Sequence, residues 1–170
     1  PDMVCIAKGL GGGYPPIAAL MVSKTIHESI VNGSGFFQHG HTNSGHPTAC
    51  ATALAVLGVF PEENVLAEAG HRSRYFFDVL HQAFNGHPNV GDIRGRGLFL
   101  GLELVADRDT KAPFPPSHKL HAVLKSTALE NGLMCYPMGG TIDGRYGDHV
   151  LLAPPLVISN QEIDQAVSML

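Results

Sequence analysis

The stretch "DMVCIAKGLGGGYPP", residues 2–16, puts a lysine straight after an apolar run and follows it with glycines and two prolines. Residues 3–7, MVCIA, are apolar without a break, the pattern of a short strand buried on both faces in an α/β sheet. "IAALMVS" (17–23) reads as its neighbour. The connecting "GLGGGYPP" is too short for a helical crossover, so the two strands are expected to be antiparallel or separated within the sheet. Lys8 has two readings. A lysine where a strand surfaces commonly snorkels to solvent. A desolvated lysine instead has a lowered pKa and can form a Schiff base with a carbonyl. The glycines favour the second reading, because they allow positive φ and close approach of a ligand, which a solvated lysine does not need.

Nucleotide motifs fail on the letters. Tyr14 and Pro16 stand where a dinucleotide fingerprint needs its third glycine, and Lys8 precedes the glycines, whereas a P-loop lysine follows them. Apolar residues make up 44% of the 170 positions, charged residues 15%, and the formal net charge is −4. So few scattered cations do not track a phosphate backbone, and no stretch has the length of a membrane span. Cys5, Cys50 and Cys135 are odd in number and far apart, which reads as packed, reduced thiols of a reducing, cytoplasmic setting.

Farther along, Lys24–Val31 reads as a short helix, and "NGSGFFQHGHTNSGHP" (32–47) runs without periodicity, a length that an ordered domain keeps for a site. Pro47 suits the first position of an Ala-rich helix whose small side chains allow close packing on a sheet. Pro61 to Asn85 reads as one amphipathic helix closed by Gly86 in the left-handed conformation. Residues 89–105 alternate as a hairpin turning at Arg94–Gly95. Ser117 is expected to cap a helix ended by Gly132, and "LMCYP" and "HVLLAPP" are further short strands. Ser159 with Glu162 forms a capping box, and Ile158 can staple to Ile163. A boundary near residue 58 divides the chain into 1–58, the end of a larger α/β domain, and 59–170, a small α+β domain.

"DMVCIAKGLGGG" resembles the lysine end of the signature of class III pyridoxal phosphate-dependent aminotransferases, with Asp2 at its acidic position and Ala7-Lys8 at its centre. "GHTNSGHPTACATALA" (40–55), "RGRGLFLGLEL" (94–104) and "GDHVLLAPPLVIS" (147–159) resemble later segments of the same family, in order. The resemblance implies the C-terminal portion of a fold-type I, pyridoxal 5′-phosphate-dependent transferase. By it, Lys8 forms the Schiff base with the cofactor aldehyde and then shuttles the proton between substrate and cofactor. Thr42 matches the threonine that reaches the phosphate of the partner subunit's cofactor, implying a homodimer with shared sites. Asn43 stands where the family usually has an aromatic residue. Arg145 corresponds to a mobile arginine for a substrate carboxylate in some members, and Arg94 to one that is more often structural; either can pair a carboxylate bidentately.

His39, His41 and His46 match no standard zinc spacing, so a metal role is not expected. The family's remaining cofactor contacts have no counterpart among the 170 residues, and the sequence starts at Pro1 without an initiator methionine. The expectation is the rear part of a transaminase, inactive on its own, that passes an amino group from an amino acid or ω-amino compound to a keto acid. Aminomutases and a decarboxylase use the same lysine. The alternatives are a non-catalytic interaction module of the same fold, or an aminomutase or decarboxylase of the same family.

Overall fold

A computed structural model describes all residues 1–170, which divide into two units, Pro1–Asn64 and Val65–Leu170. The division falls six residues beyond the expected boundary at 58. Position 58 lies inside a helix that runs on through Pro61 to Glu62, and Asn64, with φ 52°, breaks the chain just after it. Asparagine tolerates that left-handed conformation better than most residues.

In the first unit, β1 (Met3–Ile6) pairs antiparallel with β2 (Ala19–Val22), from Met3 opposite Val22 to Ile6 opposite Ala19. The ribbon continues into α1 (Lys24–Asn32), and after a loop α2 (Pro47–Glu62) starts with Pro47 in its first turn, as the sequence suggests. The strands are not buried on both faces: Met3, Leu20 and Met21 are each half exposed or more. A two-stranded ribbon has too little surface to enclose its side chains and is marginal alone. Nor does α2 pack on a sheet; it packs on the short 3₁₀ turn that follows β1.

The second unit is built on an antiparallel sheet of order β3-β4-β6-β5, comprising β3 (Val90–Arg96), β4 (Phe99–Leu104), β5 (Tyr136–Gly139) and β6 (Asp148–Leu152). Helices α3 (Val65–Phe84) and α5 (Asn160–Met169) pack together, while α4 (Leu120–Glu130) lies against β5 and β6. Phe76 and Leu80 of α3 and Ile163 and Val167 of α5 join Ile93, Leu100, Leu102 and Val150 in one core. The periods explain this. Every second residue of β4 points inward, and α5 brings Ile163 and Val167, four apart, to the same face.

Several local expectations shift. The helix expected from Pro61 begins at Val65, because α2 absorbs the proline into its last turn. Gly86 stays out of the left-handed region, and the exit from α3 is closed instead by the His87 N–H donating to the Phe84 carbonyl at 2.9 Å. The hairpin turns at Gly97-Leu98, where Gly97 carries φ 60°, so Arg94 and Arg96 both lie on β3. Ser117 sits in a 3₁₀ turn and does not cap α4, whose N-cap residue Lys119 makes no side-chain bond. Asp148, far along the chain, accepts from the His121 N–H at 3.3 Å in that role. Gly132 (φ 91°) does end α4, with the Leu133 N–H reaching back to the Ala128 carbonyl at 2.8 Å. At α5 the capping box forms in full: Glu162 N–H donates to Ser159 Oγ at 3.2 Å and Ser159 N–H to Glu162 Oε2 at 2.8 Å. Cys5 and Cys50 are exposed and not packed as expected, while Cys135 is half-buried and its thiol is pushed up by desolvation. No single helix is long and apolar enough to cross a membrane.

Candidate active site

Lys8 is not the last residue of β1. The strand ends at Ile6, Ala7 is extended, and Lys8 opens a 3₁₀ turn, Lys8–Gly11, with φ 53°. A left-handed lysine costs about 1 kcal/mol, so its retention requires support from around it. That support is visible. Leu10 N–H donates to the Ala7 carbonyl at 3.2 Å, Gly12 N–H to Gly9 at 3.1 Å and Tyr14 N–H to Gly11 at 3.0 Å. Gly12 (φ 59°) is held by two constraints, since a Cβ there would stand 2.9 Å from Val56 Cγ2 of α2. The pressure of α2 on this loop therefore demands a residue without a side chain.

The Lys8 side chain lines an open depression of about 720 Å³ with Gly13, Tyr14, Pro15, Pro16, Ile17 and Ala18. The depression is open, so the 170 residues by themselves do not supply the desolvated setting weighed for Lys8. Backbone at Gly9 and Gly13 has no atom within 4 Å of where a Cβ would be, leaving bare main chain beside the amine. The amine is a nucleophile and the glycines leave clearance beside it.

A second hollow, about 600 Å³, shares Pro15 to Ala18 with the first and extends to His41, Ser44, His46 and Thr48 at the start of α2. The 41–46 turn is tied by His41 N–H to Ser44 Oγ at 3.0 Å, Ser44 N–H to the His41 carbonyl at 2.9 Å and His46 N–H to the Asn43 carbonyl at 3.1 Å. Thr42 is exposed on that turn and lines neither hollow. Lys8 and Thr42 are thus not brought into one cavity by a single chain. The rings of His39 and His41 meet edge to face at 5.1 Å, and no three metal-binding side chains gather anywhere.

The two arginines lie in the second unit. Arg94 Nη1 stands 2.7 Å from Asp92 Oδ2 and 3.5 Å from Glu103 Oε2. The Asp92 hydrogen bond, with the two carboxylate charges, holds its guanidinium above the ordinary value despite some desolvation. An arginine already matched by two carboxylates has little charge left for a ligand. Beside it on the open sheet face is His149, whose imidazole is pushed down first by desolvation and then by Arg94, against an opposing pull from Asp148. Arg145, by contrast, is exposed and its guanidinium makes no hydrogen bond or ion pair. It sits in the β5–β6 loop, where Asp143 Oδ1 accepts from the backbone N–H of Arg145 at 2.9 Å and of Tyr146 at 2.8 Å. Those bonds, Tyr146's first, hold the Asp143 carboxyl below its ordinary range.

Sequence reasoning missed two features. Asp148 is the one buried charged residue; its Oδ1 lies 3.0 Å from His121 Nδ1. Nothing in a strand-opening aspartate announces that contact. Tyr14 shares the lysine's depression, and its position between Gly13 and Pro15 is the signal that an aromatic ring is being held in a fixed loop.

The class III aminotransferase family model matches residues 1–170, the whole chain. The chain belongs to the class III aminotransferase family. This class III chain is 44% identical to an uncharacterised aminotransferase of Schizosaccharomyces pombe, covering 100% of itself and 37% of that protein. It is 39% identical to the adenosylmethionine-8-amino-7-oxononanoate aminotransferase of Nitratidesulfovibrio vulgaris, over 98% of itself and 30% of that protein. Among solved structures, it matches an (S)-enantioselective omega-transaminase from Thermomicrobium roseum with a TM-score of 0.89 and 35% identity, covering 99% of itself and 36% of that chain. It therefore spans about a third of the length of these relatives. The fold is α/β and is that of the matching part of the fold-type I class III transaminases.

Proposed function

We propose that this chain carries the lysine-bearing and C-terminal portion of a pyridoxal 5′-phosphate-dependent transaminase. The reaction moves an amino group from an amino acid or ω-amino compound to a keto acid, a donor class supported by the omega-transaminase likeness. The observation that carries the reading is Lys8 itself: a left-handed lysine in a glycine loop, lining a concave surface, in a chain matched end to end by the class III family.

The cofactor, when bound, supplies an electron sink for the carbon next to the transferred nitrogen. The chain's contribution is positional. Lys8 Nζ is the group that would hold the cofactor's aldehyde carbon and would take and return the proton at the donor's amino-bearing carbon. The 3₁₀ turn and Gly12 fix where that nitrogen starts. Thr42 is exposed and outside the Lys8 hollow of its own chain, which supports a role toward a phosphate held by the second copy of a homodimer. Arg145, with an unpaired guanidinium, suits a substrate carboxylate better than the ion-paired Arg94 does. A cytoplasmic setting is proposed from the cysteine pattern alone.

The lysine role is tested by mixing the chain with pyridoxal phosphate, reducing with borohydride and mapping the adduct. Lys8 is expected to carry the label, and Lys8→Ala to lose it. Label spread over exposed lysines such as Lys24, with none at Lys8, is the result for a non-catalytic module and removes the mechanism. The 170-residue chain alone is expected to show no turnover above the Lys8→Ala variant.

A further inference from the structure

Seven residues line the Lys8 depression, and five of them are glycine, proline, isoleucine or alanine. Tyr14 is the exception besides the lysine. The residue is 83% exposed, so it contributes little to the packing of its own unit. Its place is nevertheless fixed. Tyr14 N–H donates to the Gly11 carbonyl at 3.0 Å, and Pro15 and Pro16 restrict the backbone that follows. The missing Cβ of Gly12 points at ring atom Cδ2 from 3.4 Å, so the ring edge lies against bare backbone. A Cβ on Gly11 would meet Pro15 Cδ at 3.0 Å, which closes the loop from the other side. The aromatic ring thus lines the same depression as the lysine and touches its own unit mainly at Gly12.

We infer that Tyr14 is a specificity-determining wall of the Lys8 site. Its ring favours carbonyl and amine ligands that present a flat, aromatic or conjugated group beside the reacting carbon. The inference rests on Lys8 being the reactive amine, and it concerns the ring and not the phenol hydroxyl. Ring-on-ring contact discriminates by roughly three- to tenfold over a saturated chain of similar size.

The test uses the 170-residue chain and two simple aldehydes, benzaldehyde and butanal, each at sub-saturating concentration and trapped with borohydride. Peptide mass spectrometry gives the benzyl-to-butyl ratio on Lys8. Dividing by the same ratio on Lys24, whose side chain is 87% exposed, removes the intrinsic reactivity of the aldehydes. The wild-type quotient is expected to exceed one. Tyr14→Leu is expected to lower it about three- to tenfold, and Tyr14→Phe, which keeps the ring, to retain it. The far-ultraviolet circular dichroism of each variant verifies the fold. An unchanged quotient in Tyr14→Leu, with Lys8 still labelled, overturns the inference while leaving the lysine reading intact. A Tyr14→Phe quotient as low as that of Tyr14→Leu also overturns it, since the hydroxyl then makes the selection. Absence of any Lys8 adduct in the wild-type chain removes both readings together.

Discussion

At the scale of single residues, the titrating group with a clear consequence is His149. Desolvation and the nearby Arg94 hold its imidazole below the ordinary value of 6.5. The unfolded chain therefore takes up this proton at higher pH than the folded one. Stability from the neutral imidazole is complete above about pH 6.5 and is lost as pH falls toward the depressed folded value. The urea midpoint of the second unit is expected to drop between pH 7.5 and pH 5.5, and His149→Gln to flatten that slope. A slope unchanged in the variant would assign the effect to other groups. At the residue scale the sequence singles out Lys8 as a candidate, because its chemical type and glycine neighbours are local facts. Such reading fails for Asp148, because the His121 contact depends on α4 lying over β5 and β6. Gly139 shows the same dependence: a Cβ there would come within 2.5 Å of His121 Nδ1, a constraint that no neighbour in sequence discloses.

Among the elements, α5 is the one whose start is written entirely in adjacent letters. Both halves of its capping box form, and Ile163 just inside it is fully buried. Replacing Ser159 with alanine is expected to cost about 1 kcal/mol, read as a lower urea midpoint with unchanged slope. The β3–β4 hairpin shows where such reading runs out. Glycines at 95 and 97 both offer a turn, and periodicity alone does not choose between them. Gly97 takes the turn because it carries the positive φ, while Gly95 is needed because a Cβ would strike the Phe99 carbonyl oxygen and Leu100 across the ladder. Pro61 misleads in a similar way. It reads as a helix start, yet the left-handed Asn64 marks the break and the proline lies inside the last turn of the preceding helix.

Over the whole chain, burial is distributed unevenly. The largest fully buried side chains, Phe76, Leu80, Leu100 and Ile163, all belong to the second unit, whereas α1 buries none and α2 only Ala53. Leu80→Ala is expected to destabilise the second unit by about 2–5 kcal/mol in urea unfolding, and the slowest-exchanging amides to be those of β4, β6 and α3. Slow exchange centred on β1 and β2 would contradict this. Alternation and amphipathic spacing make the second unit readable, since its layers lie within the chain. The strands of the first unit carry apolar runs that report a preference for burial, which the 170 residues by themselves leave unmet. The edges of the two sheets add a practical consequence. The four-stranded sheet ends at β5 with Pro137, which has no N–H to offer, and at β3 with Asp92, Arg94 and Arg96. The ribbon's MVCI and ALMV carry neither proline nor charge. During purification and storage, these bare margins are where one molecule can graft onto another. Turbidity growing with protein concentration should therefore be curbed by a lysine placed at Met21.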